Sequence, residues 1–261
     1  MGMAPTLVFD IETVPDIEGL RRVHGLDAGL SDHDVAEFAL QRRRAQTGQD
    51  FLPLHLHRVV AIACALREAD SFRVWSLGTE ADGEAELIRR FFDGIEKYTP
   101  QLVSWNGGGF DLPVLHYRGM VHGLSAPRYW DMGEDDRDFR YNNYINRYHT
   151  RHLDVMDLLA MYQPRGYAAL DDFARLCGFP GKLGMDGSKV WDAFNAGRLG
   201  AIRNYCETDV ANTHLVFTRF QLLRGVIDAG RYRDECRLVR ATLENAKEPH
   251  WREFLDAWGP D

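Results

Sequence analysis

Near its start, the chain carries a short apolar run that two carboxylates interrupt at alternate positions. Leu7 to Ile11 is typical of a buried strand, yet it includes Asp10 and is followed at once by Glu12. Because side chains alternate across a strand, Asp10 and Glu12 are predicted to project from the same face, a few ångströms apart. Like charges held this close repel each other, and burying them unpaired is costly. The strand therefore predicts either a divalent cation between the two acids or a strand end at which both meet solvent.

The composition argues against a membrane protein and against a broadly basic protein. Of the 261 residues, 45% are hydrophobic and 27% are charged, which is typical of a globular protein with one large core. No apolar run reaches the length of a membrane span and no signal peptide is recognisable, so we expect a cytoplasmic protein without a membrane partner. The net charge of −8 argues against a surface that coats nucleic acid, although an acidic metal site would itself supply several of these charges.

The order of predicted strands and helices defines a fold class. After the first strand, residues 58–66 and 71–77 are predicted to form an antiparallel hairpin, residues 81–98 an amphipathic helix, and residues 101–105 a fourth strand. Ribonuclease-H-like folds begin with three strands, a helix and another strand in this order. We therefore predict an α/β fold whose mixed central sheet has three antiparallel strands and then parallel strands, flanked by helices.

A glycine-rich loop follows the fourth predicted strand. Asn106 is followed by three consecutive glycines and then by Phe110 and Asp111. Glycine lets the backbone turn sharply or approach another group closely. Taken alone, this segment is a flexible loop whose Asp111 caps the next helix.

A long predicted helix, residues 199–221, carries a phenol and a carboxylate one turn apart. Tyr205 and Asp209 are four residues apart and therefore share a helix face. A phenol and a carboxylate on a partly apolar face need polar partners, unless the pair simply faces solvent.

Together, these segments resemble the three motifs of the DEDD superfamily of 3′-to-5′ exonucleases, in which four acids surround two metal ions. The strand acids Asp10 and Glu12 match the first motif, Asn106 to Asp111 the second, and Tyr205 with Asp209 the third. Tyr205 in the third motif is characteristic of the tyrosine subclass of this superfamily. The second segment resembles the proofreading exonuclease domain of family B DNA polymerases and its stand-alone bacterial relatives.

This resemblance implies two divalent cations, Mg²⁺ or Mn²⁺, because hard carboxylate oxygens favour these metals. It implies that Asp10 bridges the cations, that Glu12 and Asp209 complete the water-activating site, and that Asp111 serves the other cation. Tyr205 would orient the attacking water. Two such cations stabilise the charge that phosphodiester hydrolysis builds on the attacking and leaving oxygens.

The resemblance also implies a substrate, namely the 3′ end of a single-stranded nucleic acid, with nucleoside monophosphates as products. Asn106 would hydrogen-bond the terminal nucleotide and Phe110 would stack on it, unless Phe110 belongs to the core. DNA is the expected substrate, and an RNA-trimming exoribonuclease of the same fold is the alternative. A catalytically silent nucleic-acid-binding module is a further alternative, but a binder has no need to gather four negative charges around a phosphate.

We expect residues 1–261 to form a single exonuclease domain with three additions. These are a helical insertion at about 16–57, an aromatic and basic insertion at about 128–150, and a helical C-terminal extension at about 225–261. The stretch from Arg128 to Arg151 interleaves aromatic residues with arginines, which suits stacking and phosphate contacts with a single strand. It suits a dimer interface almost as well, and the sequence predicts no particular protein partner.

Several other residues have competing interpretations. Arginines 42–44 end a helix predicted over residues 31–46 and are expected to face solvent rather than phosphate. Asp154 is expected to cap a helix, with support of the metal site as the alternative. His55 and His57 are expected to be polar loop residues. Four cysteines lack the spacing of metal ligands and are expected to be reduced core thiols: Cys64, Cys177, Cys206 and Cys236.

Overall fold

A five-stranded mixed sheet lies at the centre of the computed structural model, which describes residues 5–259. In chain order the strands are β1 (Thr6–Pro15), β2 (His57–Glu68), β3 (Ser71–Ser76), β4 (Gln101–Ser104) and β5 (His152–Asp154). Across the sheet the order is β3, β2, β1, β4, β5, so the strand that carries Asp10 and Glu12 lies in the middle. The pairs β1–β2 and β2–β3 are antiparallel, and β4 and β5 run parallel to β1, which confirms the predicted strand arrangement.

Helices cover both faces of this sheet. In chain order they are α1 (Ile17–His24), α2 (Asp32–Thr47), α3 (Glu84–Tyr98), α4 (Asp111–Val121), α5 (Pro127–Trp130), α6 (Val155–Leu159), α7 (Leu170–Leu176), α8 (Val190–Asn195), α9 (Leu199–Leu223), α10 (Ala229–Asn245) and α11 (Pro249–Trp258). The long helix α9 packs on one face of the sheet, whereas α3 and α4 pack on the other. The alternation of β1 divides its side chains between these two layers, with Phe9 facing α3 and α4 and Val8 facing α9.

Alanines in β2 make room for α9. Ala61, Ala63 and Ala65 are fully buried in the core cluster that contains the inner face of α9. Ala61 lies opposite Glu12 in the β1–β2 ladder, and Ala63 lies opposite Asp10. Because these side chains are small, α9 approaches the sheet closely where β1 projects its two acids.

The predicted helical insertion at about 16–57 contains α1, which the sequence did not predict, and α2, which it did. Ser31 caps α2, because the backbone amide of Asp34 donates to Ser31 Oγ at 3.1 Å. The two helices and the following segment share a separate apolar cluster, formed by Leu20, Val35, Ala39, Leu52 and Leu56. This segment therefore has its own small core beside the main sheet.

The segment after α9 is helical, as predicted, and covers the outer side of α9 and β3. Glu235 of α10 pairs with Arg67 of β2 at 2.7 Å, and His250 of α11 contacts Glu207 of α9 at 3.2 Å. These contacts attach α10 and α11 to the face of the sheet that α9 occupies. Within residues 5–259, no helix is both long enough and apolar enough to span a membrane.

Much of the aromatic and basic stretch from Arg128 to Arg151 packs on itself. Tyr129, Phe139 and Tyr144 are buried, and the rings of Tyr129 and Tyr144 stack with centroids 5.5 Å apart. The guanidinium groups of Arg128 and Arg151 lie 5.1 Å and 3.9 Å from the centre of the Phe139 ring. These five side chains form a local core, so they are not a surface for a single strand or a second subunit. Three aromatic side chains of the stretch are exposed: Trp130, Tyr141 and Tyr148.

Candidate active site

Asp10 and Glu12 both project from β1 toward α9, as their alternate positions predict. One carboxylate oxygen of each acid and Sγ of Cys206 lie within 4.8 Å of one another. Cys206 is on α9, and its thiol donates to Asp10 Oδ2 at 3.4 Å. The two acids therefore face a helix, and the alternative of a strand end that meets solvent is wrong. Cys206 is a free, buried thiol as predicted, but the sequence did not indicate that it borders this cluster.

Asp111 reaches the same cluster from the other side of β1. Its carboxylate accepts a hydrogen bond from the backbone amide of Ile11 at 3.0 Å, between the two strand acids. This amide is available because β4 pairs with β1 only as far as Val8. Asp111 is the first residue of α4, and Phe110 occupies the N-cap position without a side-chain cap. The interpretation of Asp111 as a helix cap is therefore wrong.

The helix α9 presents Tyr205 and Asp209 to this cluster. Both side chains are buried, with 4% of each residue exposed, so the alternative of a pair that faces solvent is wrong. The four predicted acids thus come together from β1, α4 and α9. Each acid is close enough to at least one of the others for their charges to interact.

A lysine that the sequence analysis did not identify joins the acids. Lys182 Nζ lies 3.4 Å from Asp209 Oδ2 and donates to the hydroxyl of Tyr205. Its loop is fastened to α9, because the side chain of Asn212 both accepts from the amide of Gly181 at 3.1 Å and donates to its carbonyl at 2.9 Å. The local sequence offers one signal, a lysine between Gly181 and Gly184, both of which have left-handed backbone conformations. That signal indicates a turn, and it does not indicate where the lysine points.

Burial raises the pKa of all four carboxyl groups, and the charges of neighbouring acids add to the effect. The pKa of Asp10 lies well above its ordinary value because of burial and then because of Asp111, Glu12 and Asp209. Burial and Asp209 likewise raise the pKa of Glu12. Burial raises the pKa of Asp111 to about 7 and also raises that of Asp209, although Lys182 opposes this shift. Without a bound cation, the cluster therefore favours protonated carboxyl groups, and bound cations would favour the ionised form.

The charges of Asp209, Asp10 and Glu12 raise the pKa values of both Tyr205 and Lys182. Burial lowers the pKa of Lys182, but Asp209, Asp10 and Glu12 outweigh burial, and the net shift is upward. Burial raises the pKa of Tyr205, and the same three acids raise it further. The lysine is therefore a fixed cation and the tyrosine a neutral phenol.

The cluster fits divalent cations. Asp209 Oδ1 is buried, and among residues 5–259 it has no hydrogen-bond partner. A buried carboxylate oxygen without a partner is costly unless a cation or a donor occupies the space in front of it. Carboxylate oxygens are hard ligands that suit Mg²⁺ or Mn²⁺, whereas the neighbouring thiol of Cys206 is a softer donor.

The glycine-rich loop is held in place by Asp154. The Asp154 carboxylate accepts from the backbone amides of Asn106 at 3.0 Å and Gly108 at 2.9 Å. It also caps α6, as predicted, by accepting from the amide of Asp157 at 3.3 Å. A Cβ atom on Gly109 would lie 2.4 Å from the side-chain oxygen of Asn106, so the Asn106 side chain would have to move if residue 109 were larger. Asp154 thus fixes the segment that connects β4 to Asp111.

Comparisons with known proteins identify a family for this chain. A family model described as a predicted 3′-5′ exonuclease related to the exonuclease domain of PolB matches residues 49–258. The match includes Asp111, Lys182, Tyr205 and Asp209, and it begins after β1. Among curated proteins, none matches the chain.

One solved structure shows the same fold. The family B DNA polymerase from the hyperthermophilic archaeon Pyrobaculum calidifontis superposes with a TM-score of 0.50 and 18% sequence identity, over 84% of this chain. The matched region is 24% of the polymerase chain, so the likeness covers about a quarter of that protein. At this identity the likeness concerns the fold alone, and it confirms the predicted ribonuclease-H-like architecture.

Proposed function

Because this chain belongs to the family of predicted 3′-5′ exonucleases related to the exonuclease domain of PolB, we propose that it removes nucleotides from the 3′ end of single-stranded nucleic acid. The preferred substrate is DNA, and the products are nucleoside monophosphates. The observation that carries this proposal is the convergence of acids from three separate elements around one lysine and one tyrosine. We further propose that residues 1–261 act as a single exonuclease domain with the three additions predicted from the sequence.

The four acids are proposed to hold two divalent cations, Mg²⁺ or Mn²⁺. Asp10 would bind both, Glu12 and Asp209 would complete one site, and Asp111 would serve the other. The unpartnered oxygen of Asp209 and the mutual repulsion of the acids support this assignment. Cations bound there would stabilise the charge that develops on the attacking and leaving oxygens of the phosphodiester.

Tyr205 is proposed to orient the attacking water. Its oxygen accepts a hydrogen bond from Lys182, so the phenolic proton must point away from the lysine, and the hydroxyl also hydrogen-bonds the side chain of Asp209. The raised pKa of Tyr205, caused by burial and by the acids, keeps this proton on the phenol at neutral pH. A fixed donor is suited to holding a water molecule in one orientation. Lys182 then has two roles, because it positions the phenol and offsets part of the negative charge beside Asp209.

Asn106 and Phe110 are proposed to contact the terminal nucleotide. The Asn106 backbone has a positive φ of 66°, an uncommon conformation that the hydrogen bond from its amide to Asp154 stabilises. The loop is thus ordered before any substrate arrives. Phe110 directly precedes Asp111 in the chain, and its partly buried ring contacts Phe51 and His57.

The proposal is tested with DNA and RNA strands of the same sequence, labelled at the 5′ end. With Mg²⁺ or Mn²⁺, we expect a ladder of products that shorten one nucleotide at a time, faster for DNA than for RNA. A chelator should stop the reaction. Internal cleavage, or no cleavage with either metal, would contradict the proposal.

The same experiment separates the alternatives. Faster shortening of RNA would favour the exoribonuclease of the same fold. Binding of both strands without cleavage would favour a silent binding module. The geometry argues against the silent module, because four acids around a phosphate weaken binding unless cations accompany them.

A further inference from the structure

Phe51 extends a half-exposed aromatic ring beside the candidate active site. Its ring centre lies 5.6 Å from that of Phe110 and 5.1 Å from that of His57, yet 54% of the residue is exposed. Phe110 is only partly buried, so it is neither a core residue nor a free one. Asp111 follows Phe110 directly, so the exposed ring of Phe51 contacts the residue that precedes one of the four acids.

The residues on either side of Phe51 are held firmly, although its ring is exposed. Arg43 Nε donates to the Phe51 carbonyl at 3.0 Å, and Arg44 binds both carboxylate oxygens of Asp50 at 2.5 Å. Leu52 is buried in the small core of α1 and α2. The arginine run expected to face solvent thus contains two side chains that fix this loop. The loop that carries the exposed ring therefore has hydrogen bonds to α2 at Asp50 and at Phe51.

His57 connects this ring cluster to the strand that carries the acids. The sequence analysis expected a polar loop residue, but His57 begins β2 and is buried. Its Nδ1 lies 2.9 Å from Thr13 Oγ1, and its Nε2 lies 3.1 Å from the Leu52 carbonyl. With both nitrogens hydrogen-bonded, the imidazole plane is fixed. Thr13 follows Glu12 directly in β1, so this contact attaches the ring cluster to the strand that carries the two acids.

We propose that Phe51 and Phe110 form a stacking site for the bases of the last two nucleotides of the bound strand. This inference rests on the proposed function, which brings a 3′ end to the acids. A protein with a net charge of −8 must obtain much of its strand affinity from contacts other than those with phosphates. Aromatic stacking supplies such affinity for any base, and a ring that is already fixed loses little conformational freedom on binding.

The proposed stacking site would give a role to the segment at about 16–57, which lies outside the sheet. The helix α2 holds the Phe51 loop through Arg43 and Arg44, and α1 supplies Leu20 to the core beneath Leu52. The segment at about 16–57 would therefore act as a support for one substrate-binding side chain. It would select strands with bases at the 3′ end and would be indifferent to their sequence.

The experiment measures binding of two single-stranded DNA oligonucleotides by the Asp209→Asn protein, used to prevent cleavage. One has a normal 3′ end, and in the other the last two residues are abasic. Phe51→Ala should weaken binding of the normal strand about 5- to 150-fold, the range for losing one base–aromatic stack. It should leave binding of the abasic strand unchanged. Phe51→Trp should bind the normal strand as well as the parent does, because a flat ring is restored.

A matched control is Phe38→Ala, which removes a phenylalanine of α2 that is 39% exposed and contacts His24. This variant should bind both strands like the parent. Equal binding of the normal strand by Phe51→Ala and the parent would overturn the inference, as would an equal loss on both strands. The binding readout does not require cleavage. A wild-type protein that degrades no strand, together with a Phe51 effect confined to the normal strand, would therefore refute the proposed exonuclease and leave the stacking site standing.

Discussion

The carboxylate of Asp111 accepts a hydrogen bond from the backbone amide of Ile11 at 3.0 Å, across 100 positions of sequence. Ile11 lies between Asp10 and Glu12, so this bond brings the start of α4 to the strand between its two acids. It replaces a sheet hydrogen bond that β4 is too short to make. One backbone contact thus determines the position of the third acid relative to the first two.

The first prediction concerns the acids themselves. Asp10→Ala and Asp209→Asn should each reduce nuclease activity at least about 100-fold, because each removes a ligand that places charge stabilisation at the phosphate. Without metal, the melting temperature should stay the same or rise, because repulsion in the cluster decreases. Activity assays and thermal melts measure the two effects. Asp70→Asn, at the exposed turn between β2 and β3, is the control and should change neither. Unfolding of either active-site variant, or near wild-type cleavage, would show that the site is wrongly assigned.

The second prediction concerns the phenol of Tyr205. Tyr205→Phe keeps the ring and removes the hydroxyl that is proposed to orient water. A hydrogen bond of this kind contributes about 1.5–3 kcal/mol, so kcat should fall about 10- to 150-fold while KM changes little. Steady-state kinetics on a single-stranded oligonucleotide distinguishes the two parameters. An unchanged kcat would mean that Tyr205 only packs in the core.

The third prediction concerns the lysine that balances the acids. Lys182→Gln leaves Asp209 without its cation, and breaking a partly buried ion pair costs about 1–3 kcal/mol once solvent screening is allowed for. In the presence of a chelator, the melting temperature should fall by about 3–10 °C, and saturating Mg²⁺ should recover part of the loss. Lys189→Gln is the matched control, because Lys189 pairs with Asp186 at the surface. An equal effect of both substitutions would exclude a special role for Lys182.

The fourth prediction concerns pH. Burial raises the pKa of Asp111 from an ordinary value of 3.8 to about 7, so the folded protein holds this proton more tightly than the unfolded chain. The resulting stability is fully present below pH 3.8 and is lost as the pH rises through about 7. In chelator, the melting temperature of the wild type should therefore fall relative to that of Asp111→Asn between pH 4 and pH 8. A constant difference between the two proteins across this range would refute the shift.

Divalent cations should reverse this trend. They bind ionised carboxylates, so Mg²⁺ should stabilise the wild type more at pH 8 than at pH 5. Asp111→Asn should show a smaller gain from Mg²⁺ at pH 8 than the wild type does. The measurement is the rise in melting temperature with Mg²⁺ at each pH.

Features set by short-range spacing were predictable from the sequence. Alternation along a strand places Asp10 and Glu12 on one face, and a separation of four residues places Tyr205 and Asp209 on one face of a helix. The succession of strands and helices indicated the fold class for a similar reason, because hydrophobic periodicity is a property of each segment. Asp154 was recognisable as a cap because a cap binds an amide only a few residues away.

The tertiary structure alone decided which distant side chains meet. The hydrogen bond between Asp111 and Ile11 depends on where β4 ends. The position of Lys182 depends on the hydrogen bonds between the Asn212 side chain and the loop that carries the lysine. The burial of Tyr129, Phe139 and Tyr144 likewise removed these three side chains from the predicted binding surface of their stretch and placed them in a local core. In each case the partner is far away in sequence, and its distance is fixed by how helices pack on the sheet. Sequence spacing constrains neighbours along one strand or helix, whereas contacts between elements follow from close packing in three dimensions.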